Sequence, residues 1–183
     1  GGDFWVDIDP FALRDFDDPS LAQNDLQNIN NIVREGDIFG YNYDIHVNKN
    51  ELFGTYSYNK NRIESFFGIN TSTTTFWRNG KMQNGRFPES SLGKSEKQNF
   101  YNYGLKLGFL YKITGRHLLS FNAMYKTEAP YVRNAYVSPR TRDQLVPNLN
   151  SIEIISGDLN YNIRLPFLKA RLTGFYTQIN DQT

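Results

Sequence analysis

The sequence predicts an all-β fold, an antiparallel up-and-down meander of about six strands, and three observations carry that expectation. Apolar residues recur with period two from residue 51 onward, the periodicity of a strand with one apolar face. The composition pairs polarity with aromatics: only 39% of the 183 residues are hydrophobic, yet 15% are Phe, Trp or Tyr. A disordered chain lacks such aromatics and a soluble core carries more aliphatic residues, so one face is expected wet and the other apolar. Finally, short and long connections alternate along the chain, as in a meander whose every second connection lies on the same side.

The first strand is expected over 51–59, with Leu52, Gly54, Tyr56 and Tyr58 on one face, Thr55, Ser57 and Asn59 on the other, and Phe53 as an exception. In 62–78, Ile63, Phe67, Ile69 and Trp77 oppose Glu64, Gly68, Asn70, Ser72 and Thr74. The clearest alternation is 100–113, where Tyr101, Tyr103, Leu105, Leu107, Phe109, Tyr111 and Ile113 oppose Asn102, Gly104, Lys106, Gly108 and Lys112. The pattern continues over 119–126, 155–163 and 169–177. Tight turns are placed at 59–61, 114–116 and 165–168, and long polar links at 79–99 and 129–151. Residues 1–50 are expected to form a loop region on the long-loop side, with a small hairpin at 37–47. A short helix over 25–33 is an equally open reading.

The alternation alone leaves two homes for the apolar face, a core or lipid. Lipid is favoured because Tyr and Trp gather towards strand ends, where interfacial rings belong, and because the other face carries Glu64, Lys106, Lys112, Lys126, Asp158, Lys169 and Arg171. Segregated loop lengths fit the same reading, with short periplasmic turns and long extracellular loops. The alternative is a secreted soluble β-barrel or sandwich that binds a ligand among its loops. Six strands fall short of the ~8 that a single-chain bacterial barrel needs, and an open lipid-facing sheet leaves two unpaired edges. The expectation is therefore a piece of a larger transmembrane barrel, residues 51–183 supplying three hairpins.

Other classes are disfavoured by composition. A net charge of +1 without a Lys/Arg run gives no footprint for nucleic acid. There is no cysteine, and the two histidines are His46 and His117. No stretch is apolar enough for a membrane helix, and no signal peptide opens the chain. The Gly1-Gly2 start gives the expectation of a processed or engineered piece.

Specific strings then carry a family resemblance: Gly36-Asp37, Gly40-Tyr41 and Tyr43-Asp44; Phe76-Trp77-Arg78-Asn79-Gly80 and Gln83-Asn84-Gly85; Ser91-Leu92-Gly93; Thr114-Gly115-Arg116-His117; Glu128-Ala129-Pro130-Tyr131 with Asn134; and Ser138-Pro139-Arg140-Thr141. The hairpin from Gly157-Asp158-Leu159-Asn160-Tyr161 to Leu172-Thr173-Gly174-Phe175-Tyr176-Thr177 adds to them. Over nearly its whole length the chain resembles the barrel region of TonB-dependent outer-membrane receptors, the large kind with a carboxypeptidase-regulatory-like extension. The resemblance implies a barrel of about 22 strands in the outer membrane of a Gram-negative bacterium. It also implies a plug domain inside the barrel and energy from TonB–ExbB–ExbD. Siderophore, oligosaccharide and peptide remain open as cargo, as does a surface lipoprotein partner. The chain departs from the family in lacking a plug, a TonB-contacting box and a terminal aromatic residue, since it ends Gln182-Thr183.

No catalytic signature or cofactor is expected. The candidate ligand-binding residues are Tyr131, Arg133, Asn134, Arg140 and Arg142 in one long loop, with Arg78 and Arg86 in or beside another. Arg offers a planar fork to carboxylate or phosphate and Tyr a stacking face; the competing reading, which is favoured, is that these residues knit loops together or contact lipopolysaccharide phosphates. Asp7, Asp9, Asp15, Asp17 and Asp18 form an acidic opening, but Pro10 and Pro19 interrupt any calcium-loop pattern, so a solvated loop is favoured. Trp5 is expected to pack its own loop, in preference to the alternative of stacking on a ligand, Trp77 to sit at a membrane interface, and His117 to be an exposed turn residue; His46 has no evident partner.

Overall fold

The computed structural model describes residues 4–181; Gly1, Gly2, Asp3, Gln182 and Thr183 lie outside them. In chain order the elements are β1 (Trp5–Val6), α1 (Pro10–Asp15), a 3-10 turn (Pro19–Ala22), β2 (Ile32–Val33), β3 (Tyr43–Lys60) and β4 (Ile63–Gly80). There follow α2 (Pro88–Ser91), β5 (Gly93–Lys94), β6 (Gln98–Lys112), β7 (His117–Glu128), α3 (Val132–Ala135), β8 (Ile152–Arg164) and β9 (Lys169–Asn180). The fold is all-β, with antiparallel pairing. The six long strands lie in the order β3-β4-β6-β7-β8-β9, as the meander requires, with β5 pairing on β4 and β1 pairing with β2 separately. Among the described residues the sheet does not close, and β3 and β9 are its two edges.

The three tight turns fall where expected. Two residues join β3 to β4, and Asn61 takes the positive φ of 52° that a connection this short demands. Two expectations are corrected. Residues 37–47 form no hairpin: Asp37 closes a turn on Arg34 through its N–H, and Tyr43 onward is already β3. Residues 25–33 are not a helix; Asp25 organises turns by accepting from the N–H of Gln27, and Ile32–Val33 pairs with β1.

The chain divides into two compact units. One comprises Lys49–Thr74, Asn99–Pro130 and the chain from Asn150 onward. Its registers put the apolar residues in rows on one face: Tyr111, Leu119, Tyr161 and Leu172; then Phe109, Phe121, Leu159 and Gly174. Among the described residues nothing in the unit covers that face. Leu118 and Ile152 are its only buried hydrophobic residues among those described, while Leu52, Leu107, Phe121, Leu159 and Leu172 are exposed. The opposite face carries a hydrogen-bonded polar network. The fully buried Asn160 accepts from Arg171 Nε (2.9 Å) and Nη2 (2.6 Å) and from Thr173 Oγ1 (2.7 Å), and its amide donates to Asp158. Asp158 also accepts from Asn122 at 2.9 Å, and Lys112 pairs with Glu64.

The other unit comprises the chain up to Asn48, Thr75–Gln98 and Tyr131–Leu149. It has an ordinary core: Ala12, Ala22, Val33, Phe76, Ala135 and Tyr136 are buried, with Phe76 and Tyr136 edge-to-face at 6.2 Å. Backbone bonds stitch its three segments, among them Leu26 N–H to Gln83 O (2.7 Å), Gly85 N–H to Gln23 O (2.8 Å) and Asp143 N–H to Ser90 O (2.7 Å).

Candidate functional site

Six of the seven candidate residues split between ring stacks and one exposed turn, all in the unit that contains α1–α3. The seventh, Arg78, is buried. It lies within β4, where a strand side chain turned towards the neighbouring connections meets their carbonyls: Nε donates to Pro139 O (2.7 Å) and Nη1 to Ser91 O (2.7 Å). Its guanidinium also lies 5.2 Å from the Tyr43 ring centroid. Its own N–H bonds Ser95 Oγ, and its carbonyl accepts from Ser95 N–H. A guanidinium used in this way ties loops and offers nothing to a solute.

Tyr41 and Tyr43 are 5.9 Å apart, and Arg140 lies 5.0 Å over Tyr41, so Arg140, Tyr41, Tyr43 and Arg78 follow one another as a chain of ring contacts from an exposed cation to a buried one. A second chain joins Arg142, 4.3 Å over Phe87, to Arg86, which lies 5.6 Å from Phe87 and 5.4 Å from Phe16. Arg142 Nε is buried without a hydrogen-bond partner, and Arg86 approaches Asp9 at 4.0 Å. Sequence reasoning set Arg140 and Arg142 in one loop and Arg78 and Arg86 in or beside another; ring contacts link Arg140 to Arg78 through Tyr41 and Tyr43, and Arg142 to Arg86 through Phe87, partners that the sequence reading did not name.

Tyr131, Arg133 and Asn134 sit together on the short α3 turn. Burial of Ala135 and its carbonyl's bond to Val146 N–H (2.9 Å) turn these three outward, and all are exposed. They are the candidate residues most open to a solute.

The acidic opening is dispersed among separate tasks. Asp9 caps α1 by accepting from Phe11 and Ala12 N–H, Asp18 caps the 3-10 turn through Ser20 N–H, and Asp15 pairs with Arg14 at 2.6 Å. Ser20 holds the Asp18 carboxyl below its ordinary range, through its hydroxyl first and its N–H second. Asp7 is buried, with Oδ1 accepting from Asn24 Nδ2 and Gly40 N–H, both at 2.8 Å. Among the described residues no three acidic or histidine side chains are placed to hold a metal ion. Pro10 and Pro19 each follow an aspartate at a helix start, so they mark where a helix begins and are not mere interruptions of a loop.

Both histidines are engaged, contrary to expectation. His46 stacks on Trp77 at 5.0 Å and 12°, with Lys97 Nζ 4.9 Å from the indole's centroid. His117 Nδ1 bonds Tyr161 Oη at 2.8 Å, because the β7–β8 register sets their side chains on one face. Sequence reading also missed a pocket bounded by Trp5, Val33, Arg34 and Phe39. In the strand unit the polar face holds a cleft of about 370 Å³ whose lining includes Lys49, Glu51, Asn70, Lys106, Lys126 and Glu128, a mixed-charge surface suited to polar solutes.

No family model, curated protein or solved structure matches the chain.

Proposed function

We propose that this chain is a six-strand stretch of the barrel of a TonB-dependent outer-membrane transporter in a Gram-negative bacterium. One observation carries the reading: a long-stranded antiparallel sheet has an uncovered apolar face and unpaired edges. A soluble sandwich buries such a face under a second layer, and no second layer covers it among the described residues. Lipid covers it at no conformational cost, and further barrel strands satisfy the edges. The strands, 12 to 18 residues long, exceed the roughly 9–11 needed to cross a bilayer.

In this reading the polar face lines the lumen against a plug domain, and Tyr131, Arg133 and Asn134 stand on an extracellular loop where cargo arrives. TonB–ExbB–ExbD energises release of the plug, and the polar cleft with its lysines and glutamates lies along the route of a siderophore, oligosaccharide or peptide. The test is the intact mass of the native gene product, captured with an antibody raised against this chain. A mass several times 21.2 kDa, recovered from the outer-membrane fraction, is expected. A product near 21.2 kDa in a soluble fraction overturns the reading.

A further inference from the structure

The pocket among Trp5, Val33, Arg34 and Phe39 has a volume of about 280 Å³, near the lower end for small-molecule sites. Its walls are two aromatic rings and a valine: Val33 is buried beneath, while Trp5 and Phe39 remain 56% and 53% exposed. The frame is fixed by partners outside the pocket. Trp5 pairs with Val33 across β1–β2, and Asp7 N–H bonds Asn31 O at 2.8 Å. The buried Asp7 carboxylate holds the N–H of Gly40, the residue that follows Phe39. Arg34 N–H donates to Asp37 Oδ2 at 2.9 Å and Asp37 N–H returns to Arg34 O, which fixes the backbone that carries the arginine. Among the described residues the Arg34 guanidinium itself has no ion pair, hydrogen bond or ring partner. Glu35 and Asp37 flank it in sequence, but neither lines the pocket.

We infer that this pocket binds a small amphipathic monoanion, with its apolar or aromatic body between Trp5 and Phe39 and its carboxylate at Arg34. Aromatic walls held in place by a backbone lattice bind a flat apolar body with little ordering cost, and an unpaired guanidinium at the rim selects an anionic end. The site rests on residues 5–40 and stands whether or not the strands meet lipid.

The test uses the chain in lipid nanodiscs, with empty nanodiscs subtracted, and Trp77→Phe so that Trp5 is the single tryptophan. The probes are 3-phenylpropionate and its neutral analogue 3-phenylpropionamide. Saturable change of Trp5 fluorescence is expected with both, the anion binding about threefold tighter, the preference of a rim charge softened by its acidic neighbours. Arg34→Gln is expected to erase that preference while leaving the amide's affinity unchanged. Ligand-observed NMR on the chain with both tryptophans gives the same ranking without the Trp77 substitution, and Trp5→Ala removes the signal. Non-saturable change, equal affinity for the two probes, or a preference that survives Arg34→Gln overturns the inference.

Discussion

Arg78 shows how one side chain decides what a loop cluster is for. Its buried fork satisfies two loop carbonyls, those of Ser91 and Pro139, and its substitution leaves both short of a donor. Arg78→Ala is expected to destabilise this unit by about 3 kcal/mol. Arg78→Lys recovers only part, because an ammonium cannot reproduce the planar fork. Hydrogen exchange over 131–149 measures both effects. Gly80 is under a similar constraint: a Cβ there would run into the Ser91 carbonyl oxygen, so Gly80→Ala has to displace backbone, and the same exchange protection is expected to fall. Asp18 gives the expected pH response. Its folded titration is depressed by Ser20, so its stabilising contribution is complete above the ordinary carboxyl value of about 3.9 and is lost as pH falls through the lower folded value. Ser20→Ala is expected to move the Asp18 midpoint, followed by carboxyl NMR, up towards that ordinary value.

At the scale of elements, strands and tight turns were legible because they depend on local pattern, and contacts between distant segments were not. Six period-two runs became the six long strands, each within a few residues except β3. That strand begins at Tyr43, eight residues before the expected start at 51, because its pattern changes phase. Tyr43, Ile45 and Val47 are apolar at odd positions, whereas Leu52, Tyr56 and Tyr58 are apolar at even ones. The odd face of β3 is apolar where Tyr43 meets Arg78 and, Phe53 excepted, polar beyond, so one strand reads as two segments. The arginine–aromatic chains were invisible for a different reason: Phe16 and Arg86, or Tyr41 and Arg140, are joined only by the fold. The turn residue Asn61 supplies a test of the local logic. Asn61→Gly is expected to keep the β3–β4 hairpin, whereas Asn61→Val costs about 1–2 kcal/mol by forcing a β-branched residue to positive φ, read from thermal unfolding.

For the whole molecule, the two units solve the burial problem in opposite ways. The unit with α1–α3 covers Phe76, Tyr136 and Arg78 in its own interior, whereas the strand unit leaves its aromatic and aliphatic face open and carries the Asn160–Arg171–Thr173 network on the other side. A chain with such a face is complete only when something apolar covers it. We propose that the cover is lipid, and single cysteines in this cysteine-free chain report on it. Nitroxide labels at Leu107, Phe121 and Leu159 on one face, and at Ser120, Asn122 and Ser156 on the other, are read in outer-membrane vesicles by collision with oxygen and with a water-soluble nickel chelate. The first set is expected to respond to oxygen and the second to nickel, alternating residue by residue. A first set reached by neither reagent, as in a packed soluble core, or by nickel as freely as the second, would contradict it.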